Sequence, residues 1–146
     1  MYIGRDYAKK MRAIKEDPIA DILKKIAPGT PIRAGLSVSN HDVYLNIAGG
    51  MKLSEPAIDL GIITTVASAY KNIPIPQTTV VMGEVGLTGE VRRINLIEKR
   101  LKEAEKLGFK TCIIPENNKK GLKDEYKLDI IGEKNIGEAL RKLNIK

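Results

Sequence analysis

Apolar residues recur along this chain in two rhythms. Ile19, Ile22, Leu23 and Ile26 are spaced to share one helical face, which predicts a helix over 17–27 with Asp17 as N-cap and Pro18 in its first turn. A shorter helix is predicted over 6–14, and Ala27-Pro28-Gly29-Thr30-Pro31 breaks the chain into a linker or turn near residue 30. From Asp42 the period becomes two: Val43, Leu45 and Ile47 alternate with Tyr44 and Asn46, a half-buried strand closed by Gly49-Gly50. Ser54-Glu55-Pro56 then opens a helix running to about Asn72. Its apolar residues Leu60, Ile62, Ile63, Val66, Ala67, Ala69 and Tyr70 surround most of the circumference, so it is predicted to be central and buried.

Ile73-Pro74-Ile75-Pro76 ends that helix, and Thr78–Met82 reads as a short β-branched strand. Gly83–Val91 reads as strand, turn and strand. A second helix is predicted over Ile94–Leu107, with Ile94, Ile97, Leu101 and Ala104 on its core face and Gly108 as its stop. Thr111–Ile114 is a compact apolar strand ended by Pro115. A last strand is expected at Leu128–Ile131 and a last helix at Asn135–Leu143, capped by Asn135. Strands alternating with helices predict a mixed α/β (α+β) domain without internal repeats.

Composition narrows the classes. The 146 residues are 42 % hydrophobic and 29 % charged, an ordinary globular mixture. A chain of this length buries enough surface to need neither disulfide nor metal. One cysteine, Cys112, builds no zinc site alone, and one histidine, His41, weakens schemes that need a histidine base. No apolar run reaches the length that crosses a bilayer, and the polar N-terminus lacks a signal peptide's apolar core. A cytoplasmic, soluble, metal-free domain with no membrane partner is therefore expected. The net charge of +7 is uneven: residues 1–35 carry eight basic against four acidic groups, 36–90 two against five, and 91–110 seven against three. With few aromatics, such a surface suits phosphate backbones better than stacked bases. A merely well-solvated surface accounts for it equally well.

Candidate chemistry is sparse. Gly83-x-x-Gly86-x-x-Gly89 lacks the Gly-Lys-Ser/Thr of a P-loop and the spacing of a dinucleotide fingerprint, so a tight turn is the better explanation. Ser54 stands at a helix start, but Pro56 removes one oxyanion donor and an N-cap role fits better. Cys112 is expected as a buried small hydrophobe and His41 as solvated. Nothing in the spacing of Glu55, Asp59, Glu84 and Glu90 forces two of them together, so solvated or helix-N-terminal carboxylates are expected. Along the second helix Glu98 with Lys102, and Lys99 with Glu103, are placed for i,i+4 pairing. Arg92, Arg93, Arg100 and Lys106 lack such evident partners. An exposed Arg92-Arg93 pair between strand and helix suits phosphate, although unpaired surface charge explains the spacing as well.

The stretch from about Asp42 to Leu122 resembles the C-terminal Lon-protease-like domain of the bacterial RadA/Sms DNA repair family. The carrying residues are Asp42-Val43-Tyr44-Leu45-Asn46-Ile47-Ala48-Gly49-Gly50, Glu55-Pro56-Ala57-Ile58-Asp59-Leu60 and Gly83-Glu84-Val85-Gly86-Leu87-Thr88-Gly89-Glu90-Val91-Arg92. Glu98-x-Arg100-Leu101-x-Glu103-Ala104, Leu107-Gly108-Phe109-Lys110 and Ile113-Ile114-Pro115 follow in order. The resemblance implies a fold like the Lon proteolytic domain, itself similar to ribosomal protein S5 domain 2, over residues 36–146. Residues 1–35 are then an N-terminal helical extension foreign to the family.

Lon proteases use a Ser–Lys dyad, the Ser in a Gly-Pro-Ser-Ala-Gly segment and the Lys in Gly-Gly-x-Lys-Glu-Lys. Here Ala57 takes the Ser position, and Asn95-Leu96-Ile97-Glu98-Lys99-Arg100 puts Glu98 at the Lys position. Lys99 points about 100° away around the helix. The resemblance thus implies a degenerate protease that is not an enzyme. Its implied role is homo-oligomeric assembly, as a hexameric ring, and backbone contact with single-stranded or branched DNA in repair and recombination. Arg92, Arg93, Arg100 and Lys106 are the candidate DNA or subunit contacts. No cofactor is implied, because the family's zinc finger and ATPase motor have no counterpart here. Two alternatives stand beside it: a purely structural oligomerisation module, and a peptidase with a displaced dyad of Ser54 and Lys99. Separately, Ile22–Arg33 resembles the opening helix of the DNA-integrity-scanning diadenylate cyclase, whose Asp-Gly-Ala and Arg-His-Arg motifs are absent, so cyclase activity is not implied.

Overall fold

The structure, a computed structural model, describes residues 55–145. The expected helices at 6–14 and 17–27, the turn near residue 30, the strand at 42–47 and the division at 35/36 lie outside the described residues.

Pro56 has no N–H to lose at a helix start, and it opens a single 3-10 turn, Pro56–Ile58, before α1 (Asp59–Lys71) begins. Glu55 caps that turn, its Oε1 accepting the Ala57 N–H at 3.3 Å. Helix α1 therefore starts later than the sequence predicts, and the Glu55 carboxylate caps its approach; Ser54, the expected cap, lies outside the described residues. Asn72, left-handed at φ 54°, ends it. Leu60, Ile63, Val66 and Ala67 are fully buried, as the wide apolar surface of this helix predicts.

Strands β1 (Thr79–Val81), β4 (Thr111–Pro115) and β5 (Asp129–Glu133) form a parallel sheet in the order β1-β4-β5, with Val80, Cys112 and Ile130 in register. Strands β2 (Glu84–Val85) and β3 (Val91–Arg92) form an antiparallel hairpin, pairing Glu84 with Arg92 and Val85 with Val91. Alternation along β4 divides the core. Ile113 packs with α1, the hairpin and α4 (Ile136–Lys142). Cys112 and Ile114 pack instead with Leu101 and Ala104 of α2 (Ile97–Lys106). Helices thus cover both faces of the sheet, a mixed α/β arrangement. The four-residue α3 (Glu116–Lys119) follows β4 directly.

Several expectations are corrected here. The second helix begins at Ile97, not Ile94, because Leu96 is left-handed at φ 54° and the buried Ile94 is held ahead of the helix by Asn118. The last strand is shifted to 129–133, and Pro115 is part of β4 rather than its stop. Neither Glu98–Lys102 nor Lys99–Glu103 is an ion pair among the described residues. Lys102 reaches Asp124 at 2.7 Å and Glu98 accepts the Lys123 N–H at 3.0 Å, so both side chains tie the 122–127 loop to α2. The hairpin, the Gly108 stop (φ 85°) and the Asn135 cap (Oδ1 to the Glu138 N–H, 2.9 Å) stand as predicted.

Candidate functional site

Ala57 and Glu98 are the residues that the sequence resemblance assigns to the Lon Ser and Lys positions. Ala57 is buried, and its carbonyl accepts the Gly83 N–H at 2.9 Å, which seats the turn before α1 against the β1–β2 connection. Glu98 is spent on the Lys123 amide. Neither side chain holds a group that attacks a carbonyl. Lys99 is exposed on the outer face of α2, while Ser54 and His41 lie outside the described residues.

Of the four acids, Glu55 and Asp59 stand at helix N-termini, one of the two placements expected, while Glu84 and Glu90 lie in the hairpin. Asp59 is buried and accepts the Val85 N–H at 3.1 Å, joining α1 to the hairpin. Glu90 sits at the hairpin turn. Its Oε2 accepts the Thr88 N–H (3.1 Å) and hydroxyl, and its Oε1 accepts both Arg92 donors (Nε 2.9 Å, Nη2 2.5 Å). The Thr88 hydroxyl first, then backbone amides and Arg92, pull the Glu90 carboxyl down to about 2 against the opposing effect of desolvation. A Cβ at Gly86 would displace the Glu90 carboxylate from this position. These glycines serve a turn, as expected.

The basic candidates separate into two kinds. Arg92 also lies 3.8 Å from Glu84, so two carboxylates already neutralise it. Arg100 is half-buried and donates to Glu55 Oε1 (2.9 Å), the Asn95 carbonyl (3.0 Å) and Asn95 Oδ1 (3.0 Å), closing the start of α2 onto the turn before α1. Glu90 stands only two residues before Arg92, whereas Glu84 and Glu55 become partners through the hairpin and the fold. Arg93 and Lys106, by contrast, are exposed and make no hydrogen bond or ion pair among the described residues.

Arg93 opens onto a cleft of about 380 Å³ lined by Glu90, Arg92, Arg93, Glu116, Lys120 and Lys134, with Val91 and Asn117. Sequence reasoning missed Lys120 and Lys134. They stand 27 and 41 residues beyond Arg93, and no periodicity links them to it. A larger, mostly apolar cleft of about 700 Å³ lies between α1 and β1, with Glu55 and Arg100 at its rim. The described residues contain no cluster of His, Cys, Asp and Glu fit for a metal, and no helix long and apolar enough to cross a membrane.

These elements define a mixed α/β module with a parallel sheet, a short hairpin and a polar, partly basic cleft. Residues 13–118 match the family described as subunit ChlI of Mg-chelatase, and the chain belongs to that family. It is also similar to proteins named DNA repair protein RadA. That of Bacillus subtilis (strain 168) is 51 % identical over 109 residues, covering 75 % of this chain and 24 % of the relative. That of Listeria monocytogenes is 49 % identical over 110 residues (75 % and 24 %), and that of Streptococcus pneumoniae 47 % over 111 (76 % and 26 %). The chain spans about a quarter of the length of these curated relatives.

Proposed function

We propose that this chain is a non-catalytic, Lon-like module of a RadA-type DNA repair protein, serving ring assembly and sequence-independent contact with DNA phosphates. The observation that carries the reading is identity of 47–51 % to RadA proteins over three-quarters of the chain. The Lon-like, S5-like part of it draws support from one backbone angle. Leu96 takes the place of the second glycine in the Lon Gly-Gly-x-Lys-Glu-Lys segment, and it holds the positive φ of 54° that glycine accepts freely. A leucine keeps that conformation only where the surrounding fold imposes it.

Chemistry of its own is not part of the proposal: Ala57 has no hydroxyl, Glu98 no amine, and no cofactor is invoked. The net charge of +7 and the exposed Arg93 and Lys106 favour phosphate contact over base readout. The test is fluorescence anisotropy of labelled single strands of unrelated sequence across a salt series, with light scattering on the same samples. Sequence-independent binding that falls steeply with salt, by an assembly larger than one chain, is expected. A flat salt response rejects the phosphate role, and a ring without DNA affinity leaves a purely structural module. Covalent capture by a fluorophosphonate would overturn the non-catalytic assignment.

A further inference from the structure

Most cations near the strand–helix junction are already committed, and the cleft beneath Arg93 is where the remaining charge converges. Four cations and two carboxylates line it. Glu90 is occupied by Thr88 and Arg92. Glu116 lies over Gly132, with Lys120 Nζ only loosely placed at 3.8 Å. Arg93 and Lys134 make no ion pair among the described residues.

The walls are tied together by hydrogen bonds. The buried Asn118 clasps the chain beside Arg93 through two bonds, accepting the Ile94 N–H at 2.9 Å and donating to the Ile94 carbonyl at 3.0 Å. The Val91 N–H donates to the Lys134 carbonyl at 2.8 Å, and Glu90 bridges to Asn135, which fixes the segment after β5 against the hairpin. The Arg93 guanidinium lies over Gly121, with Nη2 3.8 Å from where a Cβ would stand, so no side chain at Gly121 crowds it. Three cations from three separate segments thus surround one concave space on backbones already held in place. A flexible basic tail would have to be ordered on binding; here most of that cost is met in folding.

We propose that the cleft between Arg93, Lys120 and Lys134 seats a nucleic-acid backbone phosphate, with the Arg93 guanidinium as its bidentate grip and the two lysines as point charges. The inference rests on the DNA-contact reading and deepens it: the phosphate path runs past the hairpin and α3 rather than along the outer face of α2, where Lys106 stands.

The test uses the full chain and a fluorescein-labelled oligothymidylate, titrated by anisotropy over a salt series. Arg93→Ala and Lys134→Ala should each weaken binding several-fold and lower the slope of log K against log salt by roughly 0.7, the value of one lost phosphate contact on a single strand. Lys106→Ala should leave both unchanged, and Arg93→Lys should retain part of the affinity. Urea midpoints certify folding, and Arg93→Lys with Lys134→Ala carry the test if Arg93→Ala fails to fold. Wild-type affinity in the cleft variants with loss in Lys106→Ala overturns the cleft and spares the DNA reading. If the wild-type chain binds no DNA, that reading falls, and pyrophosphate titration followed at the Arg93 Nε–H decides the cleft. A saturable shift there identifies a seat for free phosphate, replacing the nucleic-acid source, whereas no shift overturns the site altogether.

Discussion

Leu96 combines two unfavourable conditions at one residue, a left-handed backbone and a side chain 65 % exposed to solvent. A branched hydrocarbon gains little there, and its Cβ crowds the backbone by roughly 1–2 kcal/mol. Leu96→Gly should therefore raise stability by about 1 kcal/mol, part of the relief being returned as unfolded-chain entropy. Urea midpoints of the two proteins check it. Glu90 acts in the opposite sense, because its carboxylate is held by Thr88, backbone amides and Arg92. Its pKa is lowered from 4.5 to about 2, so the charged form contributes stability above pH 4.5 that is lost as pH falls towards 2. The carboxylate is 38 % exposed, so solvent screening reduces the effect. Glu90→Gln should flatten the urea midpoint over that interval relative to wild type. Parallel pH curves for the two proteins would reject Glu90 as a contributor.

At the scale of elements, the period-two and helical patterns carried the hairpin, the β1 and β4 strands and the capped α4, since each of these is set by residues near in sequence. The positions that misled are those where a distant partner decides. Ile94 has the spacing of a helical core residue relative to Ile97 and Leu101, yet Asn118, 24 residues away, holds its backbone outside the helix. Glu98 and Lys102 have the spacing of a helix pair, yet both turn to the 122–127 loop. The candidate site divides the same way. Its arginines were visible as a doublet, and Glu90 stands two residues from Arg92, but Glu84 and the lysines that join Arg93 become neighbours only through the fold. Asn118 is the hinge of that difference. Asn118→Ala leaves a buried N–H and carbonyl of Ile94 without this partner, which should cost about 2–4 kcal/mol at roughly 1–3 kcal/mol per orphaned group, less what relaxation recovers. It should also loosen the Arg93 segment. Hydrogen exchange at the Ile94 amide should accelerate more than at Val91, which is held by the separate bond to Lys134. Equal acceleration would mean that the hairpin and the lead-in open as one unit.

For the molecule as a whole, the inner strand of the sheet contains its own reporter. Cys112 lies on β4 between β1 and β5, is fully buried, and packs against Leu101 and Ala104 of α2. Burial pushes its thiol from 9.0 up to about 12, and since the thiolate is the reacting species, the folded chain resists alkylation twice over, by access and by ionisation. Reaching the sulfur requires α2 to leave the sheet, which removes one of the two apolar clusters. Iodoacetamide labelling at pH 8 should therefore be slow in the native protein and rise with urea along the global unfolding curve rather than ahead of it. Labelling that runs well ahead of unfolding would mean that α2 separates while the layer of α1, the hairpin and α4 persists. The same shift contributes to the alkaline limb of the stability profile. With its folded value raised, the thiol stays protonated in the native state while the unfolded chain ionises, so stability should decline as pH rises from 9 towards 12. Cys112→Ala should lessen that slope, to which the raised Lys102 and Tyr126 also contribute, at the cost of a small cavity against α2, while retaining the acid limb to which Glu90 contributes.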